Sequence, residues 1–226
     1  MTHRLRPIRH SGTLSPVAPG VPPTSLRLAV LGDSIGFGQG AARPEDGLGP
    51  RLAAILTADG FDVDLHVVAV PSAVSADLAD QVRRAVPLGP DLAVVVIGAN
   101  DMTRFVPPAD AARSLGAAVT ALQDAGSDVV VVPAPDMSVV PFVPPAFRLL
   151  VRAACGQLQR RQEAVTLAAG AYFADVAHAV GAAFAADPEL FSSDRYHPSS
   201  TGYARITEEL APTVVAAARA RRDTAA

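Results

Sequence analysis

From Leu26 onward, short apolar runs alternate with segments whose apolar residues fall at helical spacing. The first run, Leu26, Leu28, Ala29, Val30 and Leu31, is short, β-prone and closed by Gly32, which suits a buried strand of a parallel sheet. Gly47 to Asp59 then places Leu48, Leu52, Ile55 and Leu56 on one helical face and stops at Gly60. Val63 to Val70 predicts a second strand. The segment PSAVSADLADQVRRAV predicts a helix with Ser75 as N-cap and Leu78, Val82 and Val86 on its apolar face. Asp91 to Ile97 is the most apolar strand candidate and is expected at the centre of the sheet.

Ala109 to Ala125 predicts an amphipathic helix closed by Gly126, and Asp128 to Val132 a fourth strand. The proline-dense PAPDMSVVPFVPP that follows is too irregular for a regular element and is expected as a loop at the carboxyl edge of the sheet. Phe147 to Ala169 predicts a long helix, Ala171 to Val176 a short fifth strand and Thr201 to Arg219 a final helix. Such alternation gives a three-layer α/β/α sandwich around a mostly parallel five-stranded sheet. Residues 25–220 are expected to form one domain, residues 1–24 an extended or disordered arm, and residues 221–226 a flexible tail.

Composition narrows this picture. With 226 residues, half of them hydrophobic, the chain suffices for one sizeable core. A net charge of −3 with both signs scattered offers no basic face for nucleic acid. Cys155 is the only cysteine, so neither an internal disulfide nor a thiolate metal cluster can form within the chain. Arg4, Arg6 and Arg9 precede no apolar stretch, and Pro16, Pro19, Pro22 and Pro23 stand where one would be. Neither a secretory signal nor a membrane span is expected, and a cytoplasmic address follows by default. Oligomeric state is left open.

Candidate chemistry gathers at three places. Ser34 follows the first strand, at the strand edge where ligands bind in open α/β sheets. Gly98-Ala99-Asn100-Asp101 follows the most apolar strand, and Asp194-Arg195-Tyr196-His197 puts a carboxylate three positions before an imidazole near the far end. Hydroxyl, base, orienting carboxylate and amide donor are the parts of an acyl-transfer site. A dinucleotide loop, G-x-G-x-x-A over Gly36 to Ala41, is disfavoured. Its strand ends several residues too early, and the second strand lacks an acid at its carboxyl end. An α/β-hydrolase elbow over Gly32 to Gly36 is disfavoured by order, because the serine follows the first strand and both partners share one short loop.

In order and spacing, Gly32-Asp33-Ser34, Gly98-Ala99-Asn100-Asp101 and Asp194-Arg195-Tyr196-His197-Pro198 together resemble the blocks of the SGNH (GDSL-type) hydrolases, from Leu26 to about Ala218. The resemblance implies a flavodoxin-like SGNH hydrolase fold, Ser34 as nucleophile, His197 as general base and Asp194 as the residue holding the imidazole. It also implies an oxyanion hole made by the Ser34 backbone N–H, the Asn100 side chain and a backbone N–H in the second block. That last position is a glycine in the family and Ser72 here, with Ala69 or Ala73 as the relevant amide if the loop is shifted. Asp33 and Asp101 are expected in structural roles, and so are His66, His178 and Asp136.

Met102, Phe105, Met137 and Phe142, with Val106, Val139, Val140, Val143 and Phe147, are candidates to line an acyl-chain groove. Carboxylic esters with short to medium acyl chains are the expected substrates, with no cofactor and no metal. A carbohydrate O-acetyl esterase, an acyltransferase and a catalytically silent binding module stay open as alternatives. The absence of tryptophan argues mildly against sugar stacking.

Overall fold

A computed structural model describes residues 23–225. The arm expected before residue 25 lies almost entirely outside that range. Five strands, β1 (Thr24–Gly32), β2 (Phe61–Val67), β3 (Leu92–Val96), β4 (Asp128–Val132) and β5 (Tyr172–Phe173), form one sheet in the order β2-β1-β3-β4-β5. All four pairings are parallel, so every strand delivers its carboxyl end to one edge. β3 is central and all five of its residues are buried, as its uniform valine-rich composition requires.

The helices are α1 (Ser34–Phe37), α2 (Leu48–Ala58), α3 (Leu78–Ala85), α4 (Ala99–Thr103), α5 (Pro108–Asp124), α6 (Arg148–Ala168), α7 (Val176–Ala186) and α8 (Ser200–Ala225). Period-two alternation along the strands splits the core. Leu28, Val94, Val96, Val130 and Val132 pack with α2, α7 and α8 on one face, whereas Ala29, Leu31, Ala93, Val95, Val129 and Val131 pack with α3 and α5 on the other. This is the α/β/α sandwich.

The structure departs from the sequence expectations in several details, besides the short helices α1 and α4. β2 ends at Val67 rather than Val70, because the amides of Val68 and Ala69 both turn to the Val30 carbonyl, at 2.9 and 3.1 Å, and lead the chain out of the sheet. Ser75 does not cap α3. It opens a 3₁₀ turn with its hydroxyl on Asp101, and Ala85 rather than Val86 completes the buried face of α3. β5 stops at Phe173, and α7, absent from the expectations, begins at Val176 with the Asp175 carboxylate accepting from the His178 amide. Residues 221–225 continue α8 instead of forming a tail. Arg219 pairs with Asp59, and Arg221 bridges Asp91 and Asp128 at 3.2 Å each.

Candidate active site

At the end of β1 the chain turns through Gly32, at φ +128°, where a Cβ would stand 1.8 Å from the Val96 carbonyl oxygen. Only glycine permits this approach of β1 to β3. The buried Gln81 side chain closes on the same residue, accepting from the Gly32 N–H at 2.7 Å and donating to its carbonyl at 2.8 Å. Asp33 is the N-cap of α1, accepting from the Ile35 N–H at 3.0 Å. Burial pushes its carboxyl up to about 7, against the lowering effect of the Ile35, Ala99 and Gly98 amides. Asp33 thus faces both the turn after β1 and the turn after β3. Ser34, the first residue of α1, is buried.

The imidazole arrives from the other end of the chain. Phe191 and Pro198 form a short antiparallel bridge, and the loop between them turns through Arg195 at φ +57°. Within it, His197 Nε2 lies 3.0 Å from Ser34 Oγ, and His197 Nδ1 lies 2.6 Å from Asp194 Oδ2. The Asp194 Oδ1 accepts from Ser192 Oγ at 2.7 Å and from the amides of Tyr196 and His197 at 2.8 and 2.9 Å. Partial desolvation raises its pKa, but the hydrogen bonds from His197, Ser192 and Tyr196 outweigh it and hold the carboxyl well below the usual carboxylate range. Asp194 is therefore ionised and acceptor-only beside the ring.

Gly40 gives this loop its seat. At φ +95°, a Cβ there would meet the Pro198 carbonyl at 2.5 Å and His197 Cβ at 2.8 Å. The glycine pattern after Ser34, which superficially fits a phosphate loop, makes room for the histidine. The buried Tyr203 fastens the same stretch by donating to the Gln39 carbonyl at 2.8 Å.

Asn100 lies in α4, and its Nδ2 donates to the Ala73 carbonyl at 3.0 Å, using one of two amide hydrogens. Asp101, one residue on, is buried and accepts from Ser75 N and Oγ, with Oγ at 2.9 Å. These contacts join the loop after β2 to the turn after β3. Ser72 adopts φ +67°, the left-handed conformation a glycine would take freely. The Ala69 N–H is engaged by the Val30 carbonyl and that of Ala73 by the Val70 carbonyl. Neither alternative amide is free to face a substrate. The three non-glycine residues at positive φ among the described residues, Ser72, Phe105 and Arg195, all lie in loops at the carboxyl edge of the sheet.

Beside Ser34 and His197 opens an apolar cavity of about 70 Å³. Its walls come from Ile35, Met137, Val139 and Val140 on one side and from Val180, Gly181 and Phe184 of α7 on the other. Of the residues expected to line an acyl-chain groove, Met137, Val139 and Val140 line this cavity. Met102 packs against the core around Ala111, Ala134 and Leu158, while Phe105 and Phe142 are 91% and 62% exposed. Asp136, which also borders the cavity, pairs with Arg152 and caps the Ser138 amide, and His66 contacts Asp64.

Sequence reasoning missed the α7 wall. Ala177, Val180, Gly181 and Phe184 repeat at helical spacing, but alanines on every face mask the stripe. It also missed Gln81 and Gln162, buried amides that pin the strand ends. Gln162 accepts from the Ala134 N–H at 2.9 Å and donates to the Ile97 carbonyl at 2.9 Å. Among the described residues, no three histidine, cysteine or acidic side chains form a metal-binding group, and no helix is long and apolar enough to cross a membrane.

A family model described as the GDSL-like Lipase/Acylhydrolase family matches residues 30–205. The GDSL-like esterase Rv1075c of Mycobacterium tuberculosis is 36% identical over 192 residues, covering 83% of this chain; the chain spans 61% of that relative's length. Among solved structures, a catalytic mutant of Axe2, an acetylxylan esterase from Geobacillus stearothermophilus, is similar with a TM-score of 0.69 at 17% identity, covering 85% of this chain and 95% of that one. The psychrotrophic esterase EstA from Pseudoalteromonas sp. is similar with a TM-score of 0.65 at 17% identity, covering 84% and 96%. At such identities these two likenesses concern the fold.

Proposed function

Because the chain belongs to the GDSL-like lipase/acylhydrolase family, we propose that it hydrolyses carboxylic esters of short to medium acyl chain through an acyl-enzyme on Ser34. The observation that carries this reading is the 3.0 Å contact of Ser34 Oγ with His197 Nε2, at the mouth of the apolar cavity. A serine hydroxyl is a weak nucleophile until an imidazole takes its proton. His197 removes that proton as Oγ bonds to the ester carbonyl carbon, then delivers it to the departing alkoxide. Water attacks the acyl-enzyme by the same route and regenerates Ser34 with release of the acid. Asp194, ionised and bonded to Nδ1, fixes the tautomer that leaves Nε2 free to accept, and stabilises the imidazolium that forms.

The oxyanion is received by neutral donors: the Ser34 N–H, free at the start of α1, the second amide hydrogen of Asn100, and the Ser72 N–H. The engagement of Ala69 and Ala73 supports Ser72 as the donor in the second loop. Its left-handed backbone supports the same assignment, since a serine held there preserves the turn a glycine would make.

The cavity favours an acyl chain over a sugar. Valine, methionine and phenylalanine walls offer a hydroxylated ring few partners, and a volume of about 70 Å³ is only about twice the roughly 30 Å³ that a water takes in the liquid, which suits a short chain better than a ring. Labelling the protein with a fluorophosphonate and locating the adduct by mass spectrometry tests the reading, with Ser34 as the modified residue. A parallel assay compares p-nitrophenyl hexanoate with acetylated xylose. An unmodified Ser34, or an undiminished rate after Ser34→Ala, would sink it.

A further inference from the structure

The loop that walls the cavity continues into an exposed surface of unusual composition. Every residue from Pro144 to Leu150 is exposed, and Phe142, Phe147, Leu149 and Leu150 are exposed by 62, 56, 80 and 68%. Large apolar side chains clustered this way mark an interaction surface. Charge points to the partner. Between Asp136 and Glu163 the only charged residues are Arg148, Arg152, Arg160 and Arg161, in a chain whose net charge is −3. Asp136 is neutralised by Arg152 at 3.1 Å, while Arg148 donates only to the Val143 carbonyl and has no carboxylate partner among the described residues.

Position ties this surface to the cavity. Val140 lines the cavity, and Phe142 follows two residues later, at most about 7 Å along the chain. Arg152 Nε contacts both Asp136 Oδ2 at 3.1 Å and Ser138 Oγ at 3.3 Å, which docks the start of α6 on the same loop. We infer that the surface formed by Phe142, Phe147, Leu149 and Leu150 with Arg148 adsorbs to an anionic lipid surface, so that the cavity meets ester substrates presented at a membrane or micelle. Exposed aromatic and aliphatic side chains enter the headgroup boundary, and Arg148 between them, unpaired among the described residues, meets anionic headgroups. The role assigned to the cavity rests on the esterase reading. Adsorption itself does not.

Co-sedimentation of the full chain with vesicles tests this directly, using phosphatidylcholine alone and phosphatidylcholine mixed with phosphatidylglycerol. The protein is expected on the mixed vesicles at low ionic strength, weakly on phosphatidylcholine alone, and progressively released by salt. Leu149→Ser with Leu150→Ser is expected to lower partitioning at least about tenfold. Arg148→Glu should lower it at least about fivefold. Both variants should keep the circular dichroism of the wild type and its turnover of a soluble p-nitrophenyl ester. Equal binding to both vesicle types, no binding to either, or unchanged partitioning of folded variants overturns the inference. So does a wild-type dimer that the leucine pair converts to monomer, which would assign the patch to contact between copies. Loss of the esterase reading would instead appear as failure to label Ser34, with adsorption intact.

Discussion

Asp194 grips His197 twice: Oδ2 meets the ring Nδ1 at 2.6 Å and Oδ1 accepts the backbone N–H of the same residue at 2.9 Å. One carboxylate therefore sets both the rotation of the imidazole and the path of the backbone that carries it. The ring's other nitrogen is left aimed at Ser34.

Asp194→Asn is accordingly expected to reduce kcat/KM by about 10²–10⁴-fold, because the amide can present an N–H to Nδ1 and favour the wrong tautomer. Ser34→Ala should lose more, leaving only the residual rate supplied by binding and the oxyanion donors. Steady-state kinetics on p-nitrophenyl butyrate, with circular dichroism confirming the fold, read both. Near-wild-type turnover in Asp194→Asn would separate His197 from catalysis.

Asn100 has one amide hydrogen on the Ala73 carbonyl and one to spare. Asn100→Ala should lower kcat by about 10²–10³-fold with a smaller change in KM, as expected of a donor whose bond strengthens in the transition state. Asn100→Asp should be no better, since a carboxylate repels the oxyanion. A loss confined to KM would assign Asn100 to ground-state binding.

The residues proposed for catalysis were legible because they fall in short blocks: Ser34 and Asn100 follow strand ends, where a parallel sheet exposes chemistry, and Asp194 and His197 share one loop before the last helix. Each block alone was weak, and Ser34, Asn100, Asp194 and His197 stood out only through the order and spacing of all three. Fold class was legible for a similar reason, since the buried valine runs of β3 and β4 admit little but a central parallel sheet. The cavity was legible on one side only, where Met137, Val139 and Val140 line it as expected. Phe105 and Phe142 looked like substrate contacts by type, whereas exposure depends on where the loop travels. The α7 wall was masked because an alanine-rich helix has little polar contrast between its faces. The persistence of α8 through residue 225 rests on Arg221 meeting Asp91 and Asp128, acids more than ninety positions away in sequence. Local pattern carries no trace of such pairing.

Ser72 holds φ +67° without being glycine, a conformation that costs a residue with a Cβ about 1–2 kcal/mol. Ser72→Gly should relieve that strain while adding freedom to the unfolded chain, for a net gain of up to about 1 kcal/mol. Because the backbone N–H persists, kcat/KM should stay within about threefold of wild type. Ser72→Val, β-branched, should lower both Tm and kcat. Thermal melts and kinetics on the two variants check the pair, and a stabilising valine would contradict the backbone assignment.

Asp33 predicts an uncommon pH dependence of stability. Its carboxyl titrates at about 7 when folded, against an ordinary 3.8, because burial penalises the charge. Below pH 3.8 both states hold the proton. As pH rises the unfolded chain releases it first, so stability falls toward neutrality, by on the order of 4 kcal/mol once the folded group has also ionised. Asp194, Asp46 and Asp91 act in the opposite sense: their pKa values are lowered by folding, and their contribution is lost as pH falls through them. Urea midpoints should therefore peak at about pH 4–5 and decline toward pH 7–8. Asp33→Asn should flatten the decline on the alkaline side and leave the acid limb in place. A wild-type plateau from pH 5 to 8 would contradict the burial assigned to Asp33.

Gly181 offers the sharpest probe of chain-length selection. It sits within α7 on the cavity wall, and a Cβ built there meets nothing within 4 Å. Gly181→Ala should stabilise the protein by about 0.5–1 kcal/mol, since alanine restricts the unfolded backbone and suits a helix better. Gly181→Leu should place its side chain in the space proposed for the acyl tail. Each methylene excluded from such a pocket is worth about 10–200-fold in discrimination. The ratio of kcat/KM for hexanoate over acetate should thus fall at least about tenfold in Gly181→Leu while acetate turnover stays near wild type. If the leucine variant keeps the wild-type ratio, the acyl chain lies outside this cavity.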